Sequence, residues 1–265
     1  MNLKLHKIND ADILNFHQLS EQEGIRHFIS TRKGGVSSGK YASLNLSEKV
    51  GDNPERVIEN RKRIATYLGI EAKNLLVPDQ CHTDNVKVLT GEWREIDLGN
   101  TDALITDQPG ICLCLLAADC VPVLLFDPVK RVIASAHAGW RGTVGRIVIR
   151  TVEQMIKQYR TNPGDVLAGI GPAISQEKFE TGDKVAERFQ FLFSDHPEIL
   201  WKNPETEKTH IDLQAANHIL LQRIGLLEEN IETVQICTFA NSGLFFSARR
   251  DGIQCGRFGT GIMLK

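Results

Sequence analysis

The chain has 265 residues, of which 42% are hydrophobic and 24% are charged, and both values are ordinary for a globular protein. Its 31 Lys and Arg residues against 33 Asp and Glu residues give a formal net charge of −2. This balance argues against a nucleic-acid-binding protein with a broad basic face and against a polybasic membrane binder. A chain of this length buries most of the surface that it exposes when unfolded, so we expect one compact domain over residues 1–265.

Apolar runs of strand length begin at residues 27–31, and the first strongly patterned helix follows at residues 52–69. In that helix Asn53 is a favourable N-cap, Pro54 suits the first helical position, and Gly69 suits the end. Strands and helices then alternate along the chain. The pattern predicts strands at 85–89, 103–106, 111–117, 121–126 and 132–136, a helix at 143–160, a strand at 166–170, helices at 183–193 and 212–225, and strands at 233–236 and 244–247.

Several of these strands are apolar along their whole length, which is typical of strands that are covered on both faces. Because strands interleave with helices but also follow one another directly, we expect mixed sheets. The predicted fold class is α/β or α+β.

The amino-terminal segment does not resemble a secretory signal, because Asn9, Asp10 and Asp12 interrupt its apolar residues. The longest apolar run, residues 111–118, is far too short to span a bilayer. We therefore predict a cytoplasmic protein that does not bind membranes. In that compartment its six cysteines are expected to remain thiols.

Three short stretches place metal-binding side chains at the ends of predicted strands. They are PDQCH at 78–82, ADCVP at 118–122 and SAHAGWRG at 135–142. A charged Asp119 beside Cys120, between two apolar strands, is unfavourable unless something compensates it. Small residues after His137, at a strand-to-helix junction, suit a backbone that closely approaches a ligand.

Two imidazoles and one thiolate, from His82, Cys120 and His137, make a suitable set of zinc ligands. Catalytic zinc sites keep three protein ligands and leave one position for water or substrate. Copper suits the same donors, since thiolate and imidazole also bind that metal. The sequence therefore predicts a Zn²⁺ site, with Cu²⁺ as the alternative.

Ten motifs, in order and spread over residues 31–251, resemble the laccase-domain family, also described as multicopper polyphenol oxidase-like proteins and as purine nucleoside phosphorylases. They are TRKGGVS (31–37), YASLNL (41–46), VGD (50–52), ENR (59–61), QxH (80–82), TDALIT (101–106), ADCVPV (118–123), HAGWRG (137–142), GIGP (169–172) and FFSxRRD (245–251). The resemblance implies a fold of two packed βαβ-containing halves in α/β/β/α layers. It also implies zinc bound by His82, Cys120 and His137.

The implied activities are phosphorolysis of adenosine, guanosine, inosine and methylthioadenosine, and deamination of adenosine. Purine nucleosides and phosphate are thus the expected partners, with no nucleic acid, and the protein is expected to be a monomer or a homodimer. This chain departs from many family members in two places. It has no cysteine pair in residues 175–179, and it has Thr83 where many members have Gly. Both differences could change pocket shape and substrate preference.

Phosphorolysis requires cationic groups or N–H donors for phosphate. The candidates are Arg32, Arg141, Arg249 and Arg250, since arginine offers a bidentate fork to oxyanions. Asn45 and Gln80 could bind ribose hydroxyls or the edge of the base, or could instead hold loops together. Asp119 could contact substrate, or it could orient a metal ligand.

Three other functions remain open from the residues alone. The first is copper-dependent oxidation of phenols, although laccase-type sites need many histidines. The second is a Cys-His hydrolase acting on amide or cell-wall peptide substrates, with Cys120 as nucleophile and His137 or His82 as base. The third is a structural metal in a protein without enzymatic activity, although structural zinc normally has four protein ligands.

Overall fold

The computed structural model of the chain describes residues 3–8, 11–91 and 93–265, with side chains from residue 12 onwards. In these ranges the α-helices are α1 (His17–Ser20), α2 (Pro54–Leu68), α3 (Trp140–Val144), α4 (Ile147–Tyr159), α5 (Asp183–Leu192), α6 (Leu213–Arg223) and α7 (Ala248–Asp251). The strands are β1 (Leu3–Ile8), β2 (Ala11–Phe16), β3 (Ile25–Ser30), β4 (Leu75–Leu76), β5 (Val86–Leu89), β6 (Ala103–Thr106), β7 (Cys112–Ala117), β8 (Val121–Asp127), β9 (Val132–Ala138), β10 (Leu167–Ile170), β11 (Glu180–Thr181), β12 (Leu200–Lys202), β13 (Thr209–Ile211), β14 (Ile231–Thr233) and β15 (Phe258–Leu264).

Two six-stranded sheets form the centre of the molecule. The first has the order β1-β2-β3-β15-β7-β4 and the second the order β14-β10-β8-β9-β6-β5, while β11, β13 and β12 make a small third sheet. Both large sheets contain parallel and antiparallel pairs. The expected mixed sheets are therefore confirmed. Each large sheet also contains a strand–helix–strand crossover, β3–α2–β4 in the first and β9–α4–β10 in the second.

The two large sheets pack face to face, with helices on both outer faces. The inner layer joins side chains of both sheets, among them Leu113, Ile262, Leu124, Phe126 and Ile133. Helix α2 covers the first sheet through Ile64 and Leu68. Helices α4 and α6 cover the second sheet, for example through Val152 and Leu220. The layers are thus α/β/β/α, as expected from the resemblance.

Helix α2 begins and ends as the sequence predicts. The side chain of Asn53 accepts hydrogen bonds from the backbone N–H groups of Glu55 and Arg56, Pro54 follows, and Gly69 ends the helix with φ 72°. A left-handed residue at that position is favourable for glycine. The helix predicted over 143–160 is instead two helices, α3 and α4, because Arg146 between them has φ 60°.

Two predictions at the carboxyl end of the chain need correction. Residues 244–247 do not form a strand: Phe245 and Phe246 are buried, but the backbone N–H of Phe245 bonds to the carbonyl of Asn241 in a turn. The apolar residues are covered by core packing there, not by a sheet. The strand predicted at 233–236 lies earlier, at Ile231–Thr233.

The connections between the two large sheets position the candidate site. The segment after β4 passes from the first sheet to β5 of the second, and the segment after β7 passes from the first sheet to β8. In the part of the chain that the structure describes, no helix combines the length and the apolar character needed to cross a membrane.

Candidate metal centre

The structure brings together His82, Cys120 and His137, the three ligands proposed from the sequence. His82 lies in the segment between β4 and β5, Cys120 between β7 and β8, and His137 near the end of β9. Pro122 of β8 pairs with His137 across the ladder, so Cys120 lies beside the end of β9. Their donor atoms all lie within 4.8 Å of one another. The two imidazole rings meet edge to face, with centroids 4.9 Å apart.

The donor set fits a metal ion. Zinc bonds to nitrogen and sulfur are about 2.0–2.3 Å long, which places tetrahedral donors roughly 3.5 Å from one another. Small side-chain movements therefore close the cluster around an ion. The glycine after Ala138 permits this crowding, because a Cβ at Gly139 would lie 2.8 Å from the Sγ of Cys120 and 3.1 Å from Cδ2 of His82.

The electrostatics favour the metal-binding form of Cys120. Burial alone would raise the pKa of this thiol, but the charge of His137 and hydrogen bonds from both imidazoles lower its pKa to about 6. Burial would lower the pKa of His137, whereas Cys120 and Asp102 raise that pKa to about 9. The thiolate, which is the form that binds metals, is therefore the main form at neutral pH.

A buried carboxylate, Asp102, lies beside the cluster. It directly precedes β6, which pairs with β9, and its Oδ1 is 2.8 Å from Nδ1 of His137. Burial alone would raise the pKa of Asp102, but hydrogen bonds from His137 and Thr83 lower the pKa to about 2. Asp102 was not among the site residues predicted from the sequence. A charged residue directly before a fully apolar strand is the signal that points to it.

A cavity of about 730 Å³ opens beside the three donors. Its polar and charged lining comes mainly from residues 47–49, Arg61, Asp79, Gln80, Asp119, Arg249 and Arg257. Its apolar lining comprises Val50, Val77, Pro78, Leu116, Ala117, Ala118, Ile174, Phe179, Ala248 and Ile253. The volume lies within the range of small-molecule sites.

Of the residues predicted to contact substrate, Gln80, Asp119 and Arg249 line this cavity. Gln80 exchanges two hydrogen bonds with the backbone of Leu116, and so also fixes the loop that precedes His82. The Asp119 carboxylate accepts hydrogen bonds from the Thr238 hydroxyl and from the backbone N–H of Arg249. Asp119 has φ 101°, an unusual backbone conformation for a residue with a side chain, directly beside a proposed ligand.

The cavity lining does not include Arg32 or Arg250, and the structure gives both a structural role. The guanidinium of Arg32 donates to backbone carbonyls at positions 42 and 242 and stacks on Phe246. Arg250 donates to the carbonyls of residues 238, 239 and 245 and pairs with Asp251. Because both guanidinium groups are held by backbone carbonyls outside the cavity, the geometry does not support the predicted contact with phosphate.

Asn45 and Arg141 also lie outside the cavity lining. Asn45 is fully buried, donates to the Asp52 carboxylate and accepts from the backbone N–H of Arg257. This is the loop-holding role that was its alternative interpretation. The guanidinium of Arg141 is exposed and stacks on Trp140.

Lys49, Arg61 and Arg257 are cavity residues that the sequence interpretation missed. Lys49 pairs with Asp79, and Arg61 pairs with Glu48 at 2.7 Å. Arg61 belongs to the ENR motif at 59–61, but that motif by itself does not indicate a role in a site, and Lys49 lies in a loop.

Comparison with known proteins identifies the family. The model of the family described as multi-copper polyphenol oxidoreductase laccase matches residues 26–265. The chain belongs to the laccase-domain family. The resemblance that its motifs suggested is therefore confirmed, and membership in a copper-oxidase-like family agrees with a metal at the His-Cys-His cluster.

Curated relatives of this laccase-domain chain are enzymes. A purine nucleoside phosphorylase of Bacteroides thetaiotaomicron is 41% identical over 262 residues, covering 96% of this chain and 97% of that protein. Adenosine deaminase RL5, from an unknown prokaryotic organism, is 40% identical over 250 residues, covering 92% and 95%. The prediction that the chain is an enzyme is thereby confirmed.

Solved structures of laccase-domain proteins have the same fold. YlmD from Geobacillus stearothermophilus superposes with a TM-score of 0.91 at 29% identity and covers 98% of both chains. YfiH from Bacillus licheniformis gives a TM-score of 0.90 at 31% identity, covering 98% of this chain and 99% of that one. The layered fold is therefore common to the family members compared.

Proposed function

We propose that the chain is a zinc-dependent purine nucleoside phosphorylase whose metal is bound by His82, Cys120 and His137. The observation that carries the proposal is the cavity of about 730 Å³ that the three donors share with cationic and apolar side chains. The names of the curated relatives support the nucleoside as substrate. The expected partners are purine nucleosides and phosphate.

Phosphate attacks the anomeric carbon of the ribose while the purine leaves, so the site must hold a dianion next to the sugar. Lys49 and Arg61 are the groups that we assign to phosphate. Both belong to ion pairs with partly exposed carboxylates, Asp79 and Glu48. Because exposed ion pairs contribute little, about 0–1 kcal/mol, phosphate can replace the carboxylates at small cost.

The apolar side of the cavity suits the purine. Leu116, Ile174, Phe179 and Ile253 line it, and Phe179 already stacks against the guanidinium of Arg249. Flat aromatic bases bury well against such side chains. When bound, the metal supplies a Lewis acid beside this pocket.

The test is adenosine with and without phosphate, under air and under anaerobic conditions, with chromatographic separation of adenine from inosine. We expect adenine and ribose 1-phosphate to form only with phosphate, and elemental analysis to find zinc. A chelator should abolish turnover and added zinc should restore it. Oxygen-dependent turnover of phenols would instead support the copper oxidase. Activity that survives the chelator but not iodoacetamide would support the Cys-His hydrolase.

Adenosine deamination is a second candidate, because the relative named adenosine deaminase is 40% identical to this chain. Inosine formation without phosphate would demonstrate it. If His82→Ala, Cys120→Ala and His137→Ala each abolish both products, one metal site serves both reactions. If any of the three variants keeps full activity, the assignment of that residue is wrong.

The phosphate assignment is tested with Lys49→Met. Lys49 is largely exposed, so its ion pair with phosphate contributes at most about 1 kcal/mol, and we expect the KM for phosphate to rise by up to about fivefold. The matched control is Lys73→Met, since Lys73 is also exposed and pairs with Glu71, outside the cavity lining. Equal phosphate KM values in the two variants would refute the assignment.

A further inference from the structure

Asp102 contacts the backbone or side chain of both histidines in the cluster. Its Oδ1 accepts a hydrogen bond from Nδ1 of His137 at 2.8 Å and one from the backbone N–H of His82 at 3.1 Å. Its Oδ2 accepts from the backbone N–H and the hydroxyl of Thr83, both at 2.7 Å, and from the backbone N–H of Cys81 at 3.1 Å. The carboxylate is fully buried, so these contacts are shielded from water.

For His137, the contact decides which ring nitrogen faces the cluster. Asp102 can only accept a hydrogen bond when ionised, so Nδ1 of His137 must carry the proton. A metal ion would then take the place of the proton on Nε2, so that this nitrogen offers its lone pair to the metal. The backbone carbonyl of Asp102 also accepts a hydrogen bond from the backbone N–H of His137 at 2.8 Å, so the backbone that carries the imidazole is held as well.

For His82, the hydrogen bonds to Asp102 stabilise an unfavourable backbone conformation. His82 has φ 59°, in the left-handed region, where residues other than glycine are uncommon. Three successive N–H groups, those of residues 81–83, converge on the carboxylate of Asp102. These bonds compensate the strain and aim the imidazole of His82 at Cys120.

We propose that Asp102 is a positioning residue that sets both histidines for metal binding, so that metal affinity depends on its negative charge. A purely structural carboxylate would affect the stability of the fold but not the affinity for a metal. Groups that orient metal ligands typically change affinity by 10- to 100-fold when they are replaced. The inference rests on the proposed metal site and is independent of the nucleoside as substrate.

The experiment compares the full chain with its Asp102→Asn variant, which keeps the shape but removes the charge. Zn²⁺ affinity is measured by competition with a chromophoric chelator, and ligand geometry by the visible spectrum of the Co²⁺-loaded protein. The matched control is Asp127→Asn. Asp127 is also fully buried and accepts two backbone N–H bonds at 2.9 Å, at the opposite end of β8 from Cys120.

We expect Asp102→Asn to bind Zn²⁺ 10- to 100-fold more weakly and to shift the Co²⁺ absorption bands. Asp127→Asn should bind within twofold of the wild type while losing stability to unfolding. A folded Asp102→Asn protein with wild-type Zn²⁺ affinity and Co²⁺ spectrum would overturn the inference. Failure of the wild type to bind either ion would reject the metal site itself.

Thr83→Val keeps the test decisive if Asp102→Asn does not fold. This variant removes the Thr83 hydroxyl, which donates to Asp102 and accepts from the backbone N–H of Asn85, and it leaves the carboxylate and its bond to His137 in place. We expect a loss of Zn²⁺ affinity smaller than that of Asp102→Asn, with an intermediate Co²⁺ spectrum. Wild-type Zn²⁺ affinity in Thr83→Val would then overturn the part of the inference that concerns His82, because it would show that the contact between Asp102 and residues 81–83 does not position that ligand.

Discussion

Replacing Gly139 with alanine would put a methyl group against two of the proposed metal ligands. The added Cβ would lie 2.8 Å from the Sγ of Cys120 and 3.1 Å from Cδ2 of His82. Favourable contacts between such atoms are about 3.5–4.0 Å long, so roughly 1 Å of overlap must be relieved. The backbone of Gly139 has φ −69° and ψ 173°, which alanine adopts freely. Any effect is therefore steric.

The overlap can be relieved only by moving ligands or backbone at the end of β9. Extra methyl groups in close-packed sites typically cost about 1–3 kcal/mol. If that cost falls on the metal-bound state, the affinity for Zn²⁺ drops by roughly 5- to 150-fold, since about 1.4 kcal/mol corresponds to a factor of ten. If part of this steric cost is also present in the metal-free protein, that part lowers the free energy of unfolding.

The assay is Zn²⁺ competition with a chelator, together with equilibrium unfolding in urea, for Gly139→Ala and for Gly243→Ala. Gly243 is the control because a Cβ added there would meet no atom within 4 Å and its φ is not in the left-handed region. We expect the control to match the wild type in both measurements. Wild-type affinity and stability in Gly139→Ala would show that the three donors are not packed against Gly139 as described.

Three further predictions test other parts of the fold. Asn53→Ala removes the N-cap of α2 and should lower the free energy of unfolding by about 1 kcal/mol; an unchanged urea midpoint would contradict the cap. Phe258→Ala opens a cavity in the fully buried interface between the sheets and should cost about 3–5 kcal/mol, a prediction that a loss below about 1 kcal/mol would exclude. Burial raises the pKa of Cys114 to about 12 and that of Cys112 well above its usual value. Iodoacetamide at pH 8 should therefore label exposed Cys81 in the native protein and the other two only after unfolding, as read by mass spectrometry; early labelling of either buried thiol would contradict their burial.

The elements that could be predicted from the sequence are those with a strong local pattern. Helix α2 carries its own cap and stop signals, and strands β6 to β9 consist mostly of apolar residues. Because these signals act within a few residues, they can be recognised in the sequence without knowledge of the tertiary structure. The order of the strands in the sheets was not predicted, since it depends on contacts between distant segments.

Strand β15 shows where local pattern fails. Gly259 and Gly261 lie within it, and glycine is depleted in strands, so no strand was predicted there. The structure shows why glycine is required. A Cβ at either position would lie 2.6 Å from a neighbouring side chain, Leu46 or Phe28. The strand pairs with β3 and β7 on its two sides, and these contacts with distant segments outweigh the low strand propensity of its glycines.

In the candidate site, too, some residues could be predicted from the sequence and others could not. Single His and Cys residues are often structural, so the three proposed ligands stand out only through their context at strand ends, beside charged or small residues, and through the family resemblance. The cationic residues do not stand out, since an arginine such as Arg32 or Arg250 carries no sign of whether backbone carbonyls already occupy its donors. Only the three-dimensional structure shows that Arg32 and Arg250 lie outside the cavity lining, whereas Lys49 and Arg61 belong to it.

The placement of the three donors links ion loading to the integrity of the β-sandwich. His82 and Cys120 lie in the two connections that run from the first large sheet to the second, β4 to β5 and β7 to β8, while His137 belongs to the second sheet itself. A bound ion would cross-link these two connections to β9 and so oppose separation of the two large sheets at this edge. By mass action, Zn²⁺ at about 100 times its Kd would add about 2.7 kcal/mol to the resistance to unfolding. Backbone amide hydrogens in these two connections and at the end of β9 should then exchange more slowly with solvent as zinc is added.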